Sequence, residues 1–572
     1  MTRNPYILGR PIREKNKFFG RETLFASIED NLNNGTRFIV LHGQRRIGKS
    51  SVLKQIPNFI QLQDFVFVQF DLQHHEYNSL AIILEELSQE IVEQTNIQNR
   101  QIIPTLNDLQ ANNSSAFSRR FLPQVYQEIN DKNLVLILDE FDVIGNHNQN
   151  ASHQSHFYPY IQKLLYNEKK LFMIPVIGRY PNELPRLLTL FKAAPFQEIG
   201  LLDEIGATNL IRKPAEGILT YQNETIEEIL KLSAGHPFFT QAICYTLFSL
   251  AREINIWIVS RDDVKPILNQ AIENAESGLN GSWDMLTIPE RVIVSAIAEA
   301  TVKEVGFEKY SEEQLFAFLN KNGVVKAEYL VEAADKLRKN LLFYDRGFNI
   351  RAKLNLYWLL QNHKLKDEIP ELNKIEKQDI DRLKEVAENR REQSAEVIQL
   401  YQQALEINPN NFEIISILAK EYLQKKDFIK ACELGKRFYQ ADPQHHKEEY
   451  LHILSVYGHH LISNGEFSLA KQQYQKILEI EPNRISAAER LEEIDVYEQR
   501  LNPPIPNSPK PIRGLILSLI LTIATILGLG IFGVRYYNKF FPCPQGQQKQ
   551  WLFFCQPNKT RISNGDQLSS SR

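Results

Sequence analysis

The stretch "FIVLHGQRRIGKSSVL", Phe38 to Leu53, decides how the N-terminal part of the chain folds. An apolar run ends at Gly43, eight residues spell G-x-x-x-x-G-K-S through Ser50, and apolar residues return at Val52, Leu53 and Ile56. Between a strand and a helix this spacing builds a phosphate loop, in which backbone N–H groups turn toward phosphate oxygens at the positive end of the helix. Gly43 and Gly48 supply the backbone freedom, Lys49 is placed to reach the β- and γ-phosphates, and the Ser50 hydroxyl can ligate Mg²⁺. The expected ligands are therefore ATP and Mg²⁺.

Downstream, "NLVLILDEFD" puts five consecutive apolar residues, Leu134 to Leu138, ahead of Asp139 and Glu140. A hydrophobic strand ending in Asp-Glu has the form of a Walker B motif, with Asp139 holding the Mg²⁺ shell and Glu140 polarising the attacking water. The plainer alternative is a strand ending in a solvated acidic turn. The next apolar run, "LFMIPVIGRY", ends at Gly178-Arg179. Arg179 is either a γ-phosphate sensor at the tip of a strand or a surface arginine, and Arg186 is a weaker candidate for a sensor or a finger acting on a neighbouring subunit. Strands are expected at Phe38–His42, Phe65–Phe70, Leu134–Leu138, Leu171–Ile177 and Phe196–Leu201, short runs of the kind buried on both faces of a parallel sheet. Helical patterns separate most of them, which gives an α/β doubly wound domain over residues 1–203. A lead-in precedes it, with a helix carrying Leu24, Ile28 and Leu32.

Beyond residue 204 helical patterns take over, giving a helical lid over 204–280. Residues 281–363 read as three short helices followed by "NLLFYDRGFNIR", a hairpin signal around Asp345-Arg346-Gly347, and so as a winged helix. A charged linker, 364–394, leads to an internal repeat over 395–500. Its prolines fall at 409, 443 and 482, with spacings 443 − 409 = 34 and 482 − 443 = 39, the tetratricopeptide period and that period plus a short insertion. Stacked antiparallel helix pairs with a proline closing each second helix account for the pattern.

Length and composition set the outer limits. A chain of 572 residues with 43% apolar and 24% charged residues folds into several domains, and a formal net charge of −3 gives no global argument for nucleic acid. Cys244 and Cys432 read as isolated core thiols. A Pro-rich spacer, 501–513, leads into "GLILSLILTIATILGLGIFGV", Gly514 to Val534, an uncharged segment of bilayer-spanning length. The expected topology is single-pass, with the ATP-using part and repeats cytoplasmic and a tail, 535–572, outside, where Cys543 and Cys555 either pair or stay as free thiols. Ala524 and Gly528 give a small-xxx-small hint of self-association.

In order along the chain, "NPYILGRPI", "FFGRE", "HGQRRIGKSS", "ILDEFD", "LIRKPAEG" and "AGHPFFTQAIC" resemble the bacterial STAND-type ATPases, over about residues 5 to 360. The resemblance implies an AAA-like ATPase domain, helical lid, winged helix and superhelical repeats. It also implies that Phe19, Gly20 and Arg21 line the adenine pocket, that Ser51 joins Gly43, Gly48, Lys49 and Ser50 in the phosphate loop, that Arg179 sits at the sensor position, and that Pro237 of "GHP" packs on the adenine side. Arg179 is followed by Tyr180-Pro181 rather than a fuller sensor signature, and no arginine finger is visible. The functional expectation is a membrane-anchored ATP-binding switch or scaffold with slow hydrolysis, protein partners on the repeats and a nucleotide-dependent oligomer. Two alternatives stand beside it: a DNA-acting ATPase of the origin-recognition or loader type, and a non-hydrolysing ATP-binding scaffold. The charge mixture in "YLVEAADKLRKN", with Glu332 and Asp335 among Lys336, Arg338 and Lys339, argues against nucleic acid.

Overall fold

The computed structural model describes residues 2–110, 114–145, 157–179, 184–192, 194–303, 311–339, 344–345, 348–390, 394–501, 547–551 and 554–557. The chain divides into two compact units, Met1–Leu454 and Ser455–Arg572.

The first unit opens with α1 (Glu22–Asn33), β1 (Val40–His42), α2 (Lys49–Phe59), β2 (Phe65–Asp71) and α3 (Leu80–Gln94). Then come α4 (Leu106–Gln110), α5 (Leu122–Glu128), β3 (Asn133–Asp139), α6 (Phe157–Asn167), β4 (Leu171–Ile177), α7 (Pro185–Leu190) and β5 (Phe196–Glu198). The five strands form one parallel sheet in the order β2-β3-β4-β1-β5. All five expected strands are present, three within a residue of the predicted ends, whereas β1 and β5 are shorter.

Alternation within β3 explains the layering. Leu134, Leu136 and Leu138 join one buried cluster with residues of α3 to α7, while Val135 and Ile137 join another with Phe25, Ile28 and Leu32 of α1 and Val52, Leu53 and Ile56 of α2. Helices thus cover both faces, the arrangement that continuous apolar strands require. In α1 the third core residue is Phe25, and Leu24 packs only partly buried.

The strand order fixes the site. Because β4 lies between β1 and β3, the phosphate loop after β1, the acidic pair after β3 and Gly178-Arg179 after β4 meet at one C-terminal edge of the sheet. Ligands of open parallel α/β sheets bind at this edge.

After residue 203 the chain is mainly helical: α8 (Glu204–Arg212), α9 (Asn223–Ser233), α10 (Pro237–Ile254) and α11 (Leu268–Asp284). Thr220–Tyr221 and Ile258–Val259 form a short parallel pair that the sequence did not signal. The next helices are α12 (Ile288–Lys303), α13 (Glu312–Lys321) and α14 (Glu328–Lys339). Tyr344–Asp345 and Asn349–Ile350 then pair antiparallel, as the hairpin signal predicted. After α15 (Lys353–Asn362), the charged stretch is built as α16 (Leu365–Glu368), a 3₁₀ turn (Ile369–Lys374) and α17 (Lys377–Glu388), with Leu365, Ile369 and Leu372 buried.

The repeat region comprises α18 (Ser394–Ile407), α19 (Phe412–Gln424), α20 (Phe428–Ala441), α21 (Pro443–Ser463), α22 (Phe467–Ile480) and α23 (Ile485–Leu501). Pro443 opens α21 rather than closing α20, since a first-turn proline lacks only an N–H that the helix does not use. The longer second spacing is the length of α21, 21 residues against 13 in α19.

Within the first unit, the turn after α18 is bolted to the α13–α14 turn. Asn410 accepts from Val325 N–H at 2.8 Å and donates to Val325 C=O at 2.9 Å, and Tyr329 O–H donates to Asn408 at 2.9 Å. Arg437 of α20 donates to Pro409 C=O at 2.8 Å and to Gly323 C=O at 3.3 Å.

Among the described residues no helix is long and apolar enough to cross a membrane. The expected span, 514–534, lies outside the described residues, as do Cys543 and the 501–513 spacer beyond its first residue.

Candidate nucleotide site

Helix α2 begins at Lys49 with no side-chain cap, so its first N–H groups remain open to an anion. Gly48 precedes it at φ +99°, a left-handed conformation that favours glycine. Gly43 has a different role from the one its motif suggested. A Cβ there would lie 2.7 Å from the Ile199 carbonyl oxygen, so the absence of a side chain lets the chain after β5 approach the loop.

The acidic side meets this loop directly. Ser50 Oγ donates to Asp139 Oδ2 at 3.2 Å, and Asp139 Oδ1 accepts from the Glu140 N–H at 3.0 Å. Burial, together with the Asp71 charge paired opposite on β2, pushes the Asp139 carboxyl upward; Lys49 opposes the shift. Burial does the same to Glu140, again opposed by Lys49. Glu140 also adopts φ 51°, a costly conformation for a non-glycine residue and typical of functional turns.

Gly178 marks the centre of this cluster: a Cβ on it would stand 3.7 Å from both Glu140 Oε2 and Lys49 Nζ and 3.8 Å from Asp142 Oδ2. Arg179 Nε lies 3.9 Å from Asp142 Oδ2, and Asp142 Oδ1 accepts from the Gly178 N–H at 3.1 Å. Asp142 is therefore a site residue that sequence reasoning missed, although it closes the "DEFD" at the strand end. Arg186 lies on α7, but its side chain is outside the described residues.

Above the loop lies a cleft. It is lined by Ile7 and Gly9 to Ile12 of the lead-in, by Arg45, Arg46 and Gly48 to Ser51 of the loop, by Glu140, and by Pro237, Phe238 and Gln241 of α10. Pro237 stands beside the loop: a Cβ on Gly48 would lie 3.9 Å from Pro237 Cγ. The part that the lead-in plays here is not visible in the sequence. It is strapped to both walls, Ile7 N–H donating to Gln241 Oε1 at 2.8 Å and Ile12 N–H to Ser51 Oγ at 3.0 Å. Ser51 thus anchors the strap.

Phe19, Gly20 and Arg21 are not among the residues that line this cleft. Arg21 is occupied elsewhere, donating to Leu201 C=O at 3.2 Å and Ile47 C=O at 3.3 Å, its pKa pushed down to about 10 by burial and held up by Asp203 and Glu198. Gly20 packs on Gly206 of α8, and Phe19 lies under the Lys213 ammonium at 6.0 Å. These three join the phosphate loop to the start of the lid.

The donor set suits Mg²⁺. A hydroxyl and a carboxylate within hydrogen-bond distance are hard oxygen donors, and burial of Asp139 opposite the Asp71 charge favours a cation there. No group of three or more His, Cys, Asp or Glu among the described residues could hold a metal by itself.

With the geometry in place, comparison with known proteins gives the class. Residues 32–187 match the family model of the AAA domain, and the chain carries an AAA-domain P-loop ATPase module followed by a helical region. For the matched residues, that family model implies nucleotide binding, usually with Mg²⁺. No curated protein matches the chain. Among solved structures, a Walker-type ATPase of Pyrococcus abyssi aligns at 17% identity and TM-score 0.45, covering 62% of this chain and 98% of its own. The ORC2 protein of Aeropyrum pernix, solved as ADPNP–ADP complexes, aligns at 14% identity and TM-score 0.42 with the same coverages, 62% and 98%. A STAND protein of Pyrococcus horikoshii with a tetratricopeptide repeat sensor aligns at 16% identity and TM-score 0.29, covering 86% of this chain and 69% of its own. The assignment rests on the family match and the site geometry, not on these alignments.

Proposed function

We propose that the chain is an ATP-dependent switch whose nucleotide state sets the arrangement of its helical lid and of the units that follow. The carrying observation is that one cleft is walled by the phosphate loop on one side and by Pro237, Phe238 and Gln241 of the lid on the other. A nucleotide in it touches both walls, so its charge state can bias how they meet.

In the hydrolytic reading, Lys49 and the open N-terminus of α2 hold the phosphates. Glu140 orients the attacking water, its carboxylate accepting the proton, and Arg179 exchanges Asp142 for the γ-phosphate. Ser50 and Asp139 would hold Mg²⁺, which would supply neutralisation of the phosphate charge.

The helices and hairpin of 288–350 read as a winged helix and α18–α23 as tetratricopeptide repeats that present a surface to protein partners. Residues 514–534 read as a single membrane span with the ATPase and repeats cytoplasmic. The DNA-acting alternative needs the start of α14 accessible to a groove, whereas Val325 and Tyr329 are bonded to the repeat turn.

Turnover of ATP by the full chain tests the hydrolytic step. Glu140→Gln is expected to lower the rate about 10²-fold or more while ATP still binds. An unchanged rate in that variant would remove Glu140 from the chemistry.

A further inference from the structure

The phosphate loop carries two arginines that phosphate binding by Lys49 does not require. Both Arg45 and Arg46 line the cleft, and neither guanidinium has an ion-pair partner among the described residues. The lining as a whole carries four cations, Arg10, Arg45, Arg46 and Lys49, against one carboxylate, Glu140. Such an excess of positive charge in a confined cleft suits a polyanion and repels a cationic ligand.

Their other sides rest on α11. A Cβ added at Gly281 would lie 2.8 Å from Arg45 Cδ and 3.1 Å from its Nε, so the Arg45 side chain lies flat on the helix where a side chain is missing. One turn earlier, a Cβ at Gly278 would lie 2.7 Å from the Phe238 ring and 3.5 Å from Arg46 Cγ, and the Arg46 guanidinium stands 5.5 Å from the centre of that ring. Gly278 and Gly281 are three apart and share a face, a notch that takes the Phe238 ring, with Arg46 beside it, and the Arg45 side chain. Two residues beyond it, Trp283 stacks on His363 with ring centroids 3.7 Å apart and meets Trp358 of α15 edge-on at 6.2 Å. Helix α11 therefore runs from the phosphate loop to α15.

We propose that Arg45 and Arg46 are anion-binding residues of this cleft that report its occupancy to α11 through the Gly278–Gly281 notch. The inference rests on the nucleotide reading of the cleft and adds a route out of it. The anion draws on the Arg45 guanidinium, which lies on α11, and on that of Arg46, which stands over the Phe238 ring seated in the same notch, so binding changes how firmly α11 is held.

Hydrogen exchange on the full chain tests this, with saturating ATP analogue or ADP and Mg²⁺. In the wild type, nucleotide is expected to change exchange in both α2 (49–59) and α11 (268–284), the latter about tenfold, the size of effect that making or breaking one charge-assisted hydrogen bond produces. Arg45→Gln keeps much of the stem but removes the charge, and Gly281→Ala keeps the charge but fills the notch. Each is expected to abolish the α11 response while the α2 response persists. A wild type that responds in α2 but not α11, or an Arg45→Gln variant with a full α11 response, would overturn the proposal. A wild type without any α2 response would instead strike the nucleotide reading itself.

Discussion

His236 shows what a single residue of the lid contributes. It is buried, stacks on Phe239 at 4.1 Å, and leaves its Nδ1 without a hydrogen-bond partner among the described residues. Burial, reinforced by the Arg21 charge, pushes its pKa down to about 3. The unfolded chain takes up this proton near pH 6.5 and the folded chain does not, so folded stability falls as pH drops from about 6.5 toward about 3. Above that window the residue contributes no pH dependence. Denaturation of wild type and His236→Phe between pH 7.5 and 4.5 is expected to diverge below about pH 6.5, by about 1.4 kcal/mol per pH unit at most, with the variant less acid-sensitive. Parallel curves would show that the imidazole is not held neutral. At this scale the sequence marked Lys49, Ser50, Asp139, Glu140 and Arg179 by their offsets from a glycine or a strand end, whereas Pro237 entered only through the family resemblance. It did not display Asp142, whose role depends on β4 lying beside β3, nor the true surroundings of Arg21, which depend on two carbonyls far apart in sequence.

Among the elements, the strands were legible and the joints between helices were not. Strands buried on both faces announce themselves as continuous apolar runs, and β4 lies where the sequence placed it, Leu171–Ile177. The prolines at 409, 443 and 482 stand out in the sequence, yet the reason for the neighbouring asparagines appears only in three dimensions. Asn408 and Asn410 are fully buried and join the turn after α18 to Val325 and Tyr329. Asn410→Ala leaves the Val325 amide and carbonyl without those partners, and is expected to cost about 1–3 kcal/mol in the unfolding of the first unit. Chemical denaturation measures it, and a loss below about 0.5 kcal/mol would mean that the joint is loosely held or water-satisfied.

For the whole molecule, a P-loop NTPase fold is followed by a mainly helical region. The proposed membrane span makes the simplest test of placement: carbonate-washed membranes are expected to retain the full chain and to lose a chain lacking 514–534. Recovery of the full chain in the soluble fraction would remove the anchor from the account. Ligand linkage gives a second test, since a nucleotide at about 100 times its Kd stabilises the unit it binds by about 2.7 kcal/mol. Thermal unfolding of the full chain should therefore rise by several degrees with ATP and Mg²⁺, and less with ATP after Mg²⁺ is chelated.

Everything else depends on the cleft being a nucleotide site. Equilibrium binding of ATP to the full chain and to Lys49→Ala, with Mg²⁺ present, addresses this most directly. Loss of the buried Lys49 ammonium is expected to weaken binding at least about tenfold, the effect of one charge-assisted hydrogen bond to phosphate. Equal affinity in the two proteins would contradict the account.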